Sequence, residues 1–239
     1  MPARRICSTS KPSHWRLWKN KTRNWALETA MGKTTDIGVR VELVSFDPYF
    51  ENISIGLYRQ DRTDGVGYLV KTYSARPGAA ERISVINKTM STLGDLETNR
   101  DGLLCFSCGE PHEKAMRRIF IDACKLAPGN AAYVRSLTIY DKKSDAEITA
   151  EPLGGGSYKI VSNADPETGG RRVFAIARGL LKLTDMTQDE QSDQKLSFPC
   201  GHAHDALVGA LMVRAQNVRA AMREAEELMS RGVLAAPNN

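Results

Sequence analysis

The sequence predicts an α+β protein built as two tandem β-β-β-α-(β)-α units, packed as one pseudo-symmetric body and ending in a long C-terminal helix. Three observations carry this: an internal repeat, a run of short β-rich segments at the head of each copy, and helical periodicity behind them. Shifted by 90 positions, Tyr68 meets Tyr158, Arg82 meets Arg172, Ile86 meets Ile176, Met90 meets Leu180 and Asp95 meets Asp185. After a two-residue insertion the shift becomes 92, and Leu104 meets Leu196, Phe106 meets Phe198, Cys108-Gly109 meets Cys200-Gly201 and His112 meets His204. Apolar residues match apolar ones through both blocks, and self-similarity at one fixed shift marks a repeated structural unit.

The elements follow in chain order. "VRVELVSF", "ISIGLYRQ" and "GYLVKTYS" are rich in β-branched and aromatic residues and are separated by the turn-forming "DPYFEN" and "DRTDGV", which predicts an antiparallel meander. "RSLTIYD", "AEITAEP" and "SYKIVSN" repeat the plan, with Lys142 to Asp145 and the triplet Gly154-Gly155-Gly156 as turns. Residues Ala79 to Leu93 place Ile83, Ile86, Met90 and Leu93 on one helical face, with Gly94 as the stop. Arg171 to Leu183 place Val173, Ile176, Leu180 and Leu183 at the same intervals. A short extended piece, "LLCFSC" or "LSFPC", then leads to a second helix expected to begin at the Cys-Gly.

In the first copy that helix ends near Lys125, ahead of Pro128-Gly129. In the second, the series Leu207, Leu211, Ala215, Val218, Met222, Ala225 and Met229 carries it to Gly232, a length of about 40 Å at 1.5 Å per residue. Its later half has no counterpart in the first copy. The stripe is therefore expected to pack across both copies or against another chain, and a homodimer is the secondary expectation; Arg214, Arg219 and Arg223 on the other side read as a solvated face.

Charge separates the chain differently. Of 33 basic residues, seven (Arg4, Arg5, Lys11, Arg16, Lys19, Lys21 and Arg23) precede the first acid, Glu28, so the net charge of +5 resides there: the remaining 26 face 28 acids. All three tryptophans, Trp15, Trp18 and Trp25, share the segment. Residues 1–33 read as a basic extension, disordered or misassigned ahead of a start at Met31, with a cationic aromatic arm for nucleic acid or anionic membrane and a targeting peptide as competing readings. Residues 34–130 and 131–239 are the two units. Nucleic-acid binding is not favoured, because it would depend on the extension alone.

No apolar run approaches the 18 to 20 residues of a membrane-spanning helix, the longest being Ala206 to Val213. An odd set of cysteines, Cys7, Cys105, Cys108, Cys124 and Cys200, in a chain large enough to need no staples, points to reduced thiols in the cytoplasm.

The chemistry-bearing pattern is Phe-x-Cys-Gly-x-x-His, present at Phe106 to His112 and at Phe198 to His204. A cysteine and a histidine four apart on a helix share a face. Three uses compete. In the first, glycine makes a sharp strand-to-helix junction, the cysteine packs and the histidine caps or braces the turn. In the second, Cys108, His112, Cys200 and His204 converge on one tetrahedral zinc ion, with Cys105 and His202 as spare ligands. In the third, Cys108 or Cys200 is a nucleophile with the histidine as base; no orienting group or oxyanion pocket can be assigned for it, and redox sensing through Cys105 and Cys108 is a lesser variant. Glu113 and Asp205 read as first-turn acids. Arg82 and Arg172 read as partners of surface carboxylates, with an anion held near the helix start as the lesser reading.

The sequence favours a non-enzymatic binding or assembly module whose unknown protein or small-molecule partner sits in a cleft between the copies. A zinc-binding protein is the alternative and a cysteine-dependent enzyme the second alternative.

Overall fold

The computed structural model describes residues 40–46, 55–62, 65–72, 77–126 and 135–230, the first group and residues 228–230 through their backbone alone. The basic extension, with Cys7 and the three tryptophans, lies outside them. Among the described residues there are two five-stranded antiparallel sheets and five helices.

The first half opens with β1 (Arg40–Phe46), β2 (Ile55–Arg62) and β3 (Gly65–Thr72), an antiparallel meander as expected. Helix α1 (Ala79–Gly94) follows, then a hairpin of β4 (Glu97–Thr98) and β5 (Leu104–Cys105), then α2 (Glu113–Ala123). The second half runs through β6 (Thr138–Asp141), β7 (Ala146–Gly154), β8 (Ser157–Ser162), α3 (Pro166–Leu183), β9 (Thr187–Asp189), β10 (Ser192–Ser197) and α4 (Asp205–Ala215). A last helix, α5 (Arg219–Ser230), closes the described chain.

The sheets have corresponding strand orders, β1-β2-β3-β5-β4 and β6-β7-β8-β10-β9. Their register corresponds too: Tyr68 pairs with Leu104 in one, Tyr158 with Leu196 in the other. The single extended piece expected before the second helix is corrected to a two-stranded hairpin in each half.

Helical faces fall where the spacing put them. Ile86, Met90 and Leu93 of α1 and Ile176, Leu180 and Leu183 of α3 are buried, each such side chain contributing about 1.5–3 kcal/mol. Helix α1 packs on α2 and α4, and α3 packs on α4 and α2, so the helices of the two halves meet one another. One continuous cluster of buried side chains therefore runs from Ile55, Tyr68 and Met90 to Tyr158, Leu180 and Leu211. No described helix is long and apolar enough to cross a membrane.

Two expectations are corrected here. The long C-terminal helix is two helices, broken at Gln216–Val218, where the amides of Asn217 and Val218 turn back to the carbonyls of Arg214 and Ala215. Arg172 reinforces the break by donating to the Gln216 carbonyl at 3.1 Å. After it, α5 folds onto α3 of the same half, seating Ala225 against Phe174 and Ala175. Val218, Met222 and Ala225 of the stripe thus pack within the chain. Helix α5 adds ion pairs from Glu224 to Lys182 and Arg178.

The arginines are the second correction. Arg172 is buried and makes a two-pronged contact with Asp141 at 2.7 and 2.8 Å, and Arg82 donates to the Cys124 carbonyl. Cys124 and Gln216 are the C-caps of α2 and α4, so both arginines bind the end of the second helix of their half. Arg214 is not merely solvated either, because it pairs with Asp122 of the first half.

Candidate metal centre

Each Phe-x-Cys-Gly-x-x-His segment is a loop between the last strand and the second helix of its half. The helices begin after the histidine, at Glu113 and Asp205, which corrects the expected start at Cys-Gly. Cysteine and histidine are brought together by a loop that doubles back. Its pivot is Gly109 (φ +78°) or Gly201 (φ +72°), a left-handed backbone that costs an L side chain energy. The turn is closed by the glycine amide bonding the carbonyl of Phe106 or Phe198.

In both loops the result is the same contact: Cys108 Sγ lies 3.2 Å from His112 Nε2, and Cys200 Sγ lies 3.3 Å from His204 Nε2. The two loops then meet across the junction of the halves. The ligand atoms of Cys108, His112, Cys200 and His204 all lie within 4.8 Å of one another. These four sequence-predicted residues form one cluster.

Aromatic rings fix the imidazoles. Those of His112 and His204 are edge to face with centroids 4.6 Å apart, and Phe106 and Phe198 each stand edge-on to both, at 4.8 to 5.5 Å. Each Phe thus braces its own histidine and the other half's. Both histidines and both phenylalanines are buried. From behind, Tyr158 accepts a hydrogen bond from the His204 amide at 2.7 Å and donates to Asp205 at 2.7 Å, while Tyr68 donates to the Pro111 carbonyl at 2.8 Å. The glycine triplet supplies a further support: Gly156 lies so close to the His202 backbone that a Cβ would stand 2.7 Å from its carbonyl oxygen.

The spare ligands stand apart. Cys105 alternates with the buried Leu104 along β5, so it faces the other side of the sheet, against Gly67. His202 is exposed, and its Nδ1 is 2.9 Å from the Cys200 carbonyl oxygen.

Burial governs the charge states. It depresses His204 to about 4, aided by the neighbouring His112 and His202 and opposed by Asp205; His112 is lowered as well, by burial against the pull of Asp185 and Glu110. Burial also raises the Cys108 thiol to about 11, with the adjacent Cys200 adding to the rise and the Glu110 amide opposing it. The corresponding amide of His202 donates to Cys200 Sγ at 3.4 Å. Neutral imidazoles and sulfurs that receive backbone N–H groups suit a cation, which draws off the thiol protons itself.

The histidines are N-caps by position, yet neither makes a side-chain capping bond. The capping role expected for them is corrected: a left-handed backbone at His112 and the loop turns start the helices without it. The expected first-turn acids are in place. Glu113 pairs with Arg59 and Arg117, and Asp205 binds Tyr158.

On one side the cluster is open. A cleft of about 350 Å³ reaches His112 and Cys200, lined also by Glu110, Pro111 and Glu113 of the first half and Asp185 and Pro199 of the second. Sequence reading matched Asp95 to Asp185 but had no means to place Asp185 beside the histidines. In sequence Tyr158 matches Tyr68 and stands only as a residue of the strand segment "SYKIVSN". The chain matches no protein-family model, no curated protein and no solved structure.

Proposed function

We propose that this protein is a zinc-binding module in which Cys108, His112, Cys200 and His204 hold one Zn²⁺, and that the ion ties together two halves descended from a duplicated unit. The observation that carries the reading is the convergence of the four donor atoms within 4.8 Å. A tetrahedral ion with Zn–S of about 2.3 Å and Zn–N of about 2.0 Å separates its ligand atoms by roughly 3.3–3.8 Å, so contraction of the widest pair by about 1–1.5 Å completes the site. Each half contributes one sulfur and one nitrogen, which makes the ion a clamp across the junction.

Duplication is supported by the corresponding strand orders, the Tyr68–Leu104 and Tyr158–Leu196 registers, and the arginine that binds the C-cap carbonyl in each half. With both sulfurs, both imidazoles and the aromatic walls assigned to holding an ion, the protein is a binding or assembly module rather than an enzyme. A cysteine nucleophile is disfavoured by the raised Cys108 thiol and the lowered histidines, the reverse of an activated thiolate–imidazolium pair. The cleft between the halves is where a small or peptide partner would sit.

Cobalt(II) substitution of the metal-free chain tests the ligand set. Intense visible bands of a tetrahedral centre with a thiolate-to-cobalt transition, displaced by equimolar zinc, are expected. The pale spectrum of six-coordinate cobalt would refute the assignment.

A further inference from the structure

The two candidate sulfur ligands come from different halves and sit side by side, and one of them lines an open cleft. Cys108 and Cys200 belong to a group of donor atoms that all lie within 4.8 Å of one another. Neither side chain is fully buried, and Cys200 forms part of the wall of a cleft about 350 Å³ in volume. The other described cysteines are placed differently. Cys124 is buried at the end of α2, and Cys105 faces away across the sheet, against Gly67. None of the four is in a disulfide.

We propose that Cys108 and Cys200 are a reversible oxidation site: a small peroxide entering the cleft converts the pair to a disulfide and expels the metal. The inference rests on the zinc reading above and adds its regulation. The Cys200 sulfur, the one on the cleft wall, attacks a peroxide oxygen; the O–O bond breaks, hydroxide leaves and a sulfenic acid forms. The Cys108 thiolate then attacks that sulfur, an S–S bond forms and a second hydroxide leaves, each hydroxide taking a proton to become water. Two thiolates lose two electrons, hydrogen peroxide gains them, and the ion departs unchanged as Zn²⁺ because two of its four ligands have lost their charge.

The geometry gives this reaction its direction. An intermediate sulfenic acid on Cys200 has Cys108 as its nearest described thiol, so closure to the disulfide competes well with further oxidation. The new bond spans the same junction that the ion spans, so the oxidised chain keeps its halves joined by a covalent link. Zinc and disulfide are alternative clamps at one place.

The test uses the full-length, zinc-loaded chain freed of reductant. Equimolar hydrogen peroxide is added while released zinc is followed with a chromogenic chelator, and disulfides are mapped by mass spectrometry of non-reduced tryptic peptides. Cys105 and Cys108 share one tryptic peptide, so the experiment is repeated with Cys105→Ser, which removes the competing thiol without touching the metal ligands. Zinc release in step with a Cys108–Cys200 link, in both proteins, and zinc uptake after dithiothreitol are expected. Release with a Cys105–Cys108 link, release with irreversible sulfinic acids, or retention of zinc would each overturn this inference while leaving the metal site intact. A chain that takes up no zinc at all would overturn the metal reading and this inference with it.

Discussion

The His112 and His204 imidazoles meet edge to face, 4.6 Å between centroids and 74° between planes, although they lie in different halves and each faces its own cysteine. Two buried imidazoles and two cysteines turned toward one another form a donor set that could hold a metal ion. Phe106 and Phe198 pack edge-on to both rings and hold the four donors in this arrangement.

Tyr158→Phe tests how the scaffold holds His204. The phenol accepts from the buried His204 amide and donates to Asp205, so its loss strands a buried N–H at a cost of about 1–3 kcal/mol. The same change frees the His204 backbone, and zinc affinity is expected to fall about 10–100-fold, as when a residue supporting a ligand is removed. Tyr68→Phe strands only the Pro111 carbonyl and should weaken zinc binding less. Competition titrations against a chelator give both constants, and equal effects would contradict this role for Tyr158.

The Arg172–Asp141 pair predicts an acid-dependent stability. Burial alone would raise the Asp141 carboxyl, but the hydrogen bonds from Arg172 and Ser144 and the arginine's charge outweigh it, and the net shift is downward. A carboxylate depressed in the folded state stabilises above its unfolded value of about 3.9 and loses that contribution as pH falls through the folded value. Urea titrations should therefore show wild-type stability declining below about pH 4 with part of the decline absent from Arg172→Ala. At neutral pH that variant leaves Asp141 buried without its partner and is expected to lose about 3–5 kcal/mol. A loss below about 1 kcal/mol would place the pair among surface contacts instead.

Helix α5 predicts a local effect. Ala225→Asp puts a charge against Phe174 and Ala175 and should release α5 from α3. Helix content is expected to fall and hydrogen exchange to rise in both helices, while zinc uptake at the proposed site, which draws no ligand from α5, is expected to be unchanged. An altered oligomeric state instead of local opening would show that the stripe serves a second chain.

Much of this was legible in the sequence. Matching residues at one shift per block brought Cys108, His112, Cys200 and His204 forward as a set. What the sequence obscured has physical causes. Two-residue strands such as Glu97–Thr98 are too short to show alternation, so the hairpins were missed. The break before α5 was hidden because Gln216 keeps a right-handed helical backbone, φ −60° and ψ −18°, so apolar spacing runs on from Ala215 to Val218 and Met222 across it. The histidines were read as helical because a four-residue spacing fits a helix as well as it fits a loop folded back at Gly109 or Gly201. Arg172 was read as a surface residue because nothing in sequence pairs it with Asp141.

The most direct measurement is zinc per chain, by elemental analysis of untagged protein, for wild type and for Cys200→Ser, with thermal unfolding recorded with and without added zinc. The account predicts about one zinc in the wild type, none held by the variant, and a zinc-dependent stabilisation of about 2.7 kcal/mol in the wild type alone when free zinc is a hundredfold above its dissociation constant. Wild type that unfolds identically with and without zinc, or a Cys200→Ser chain that retains the metal, would contradict it.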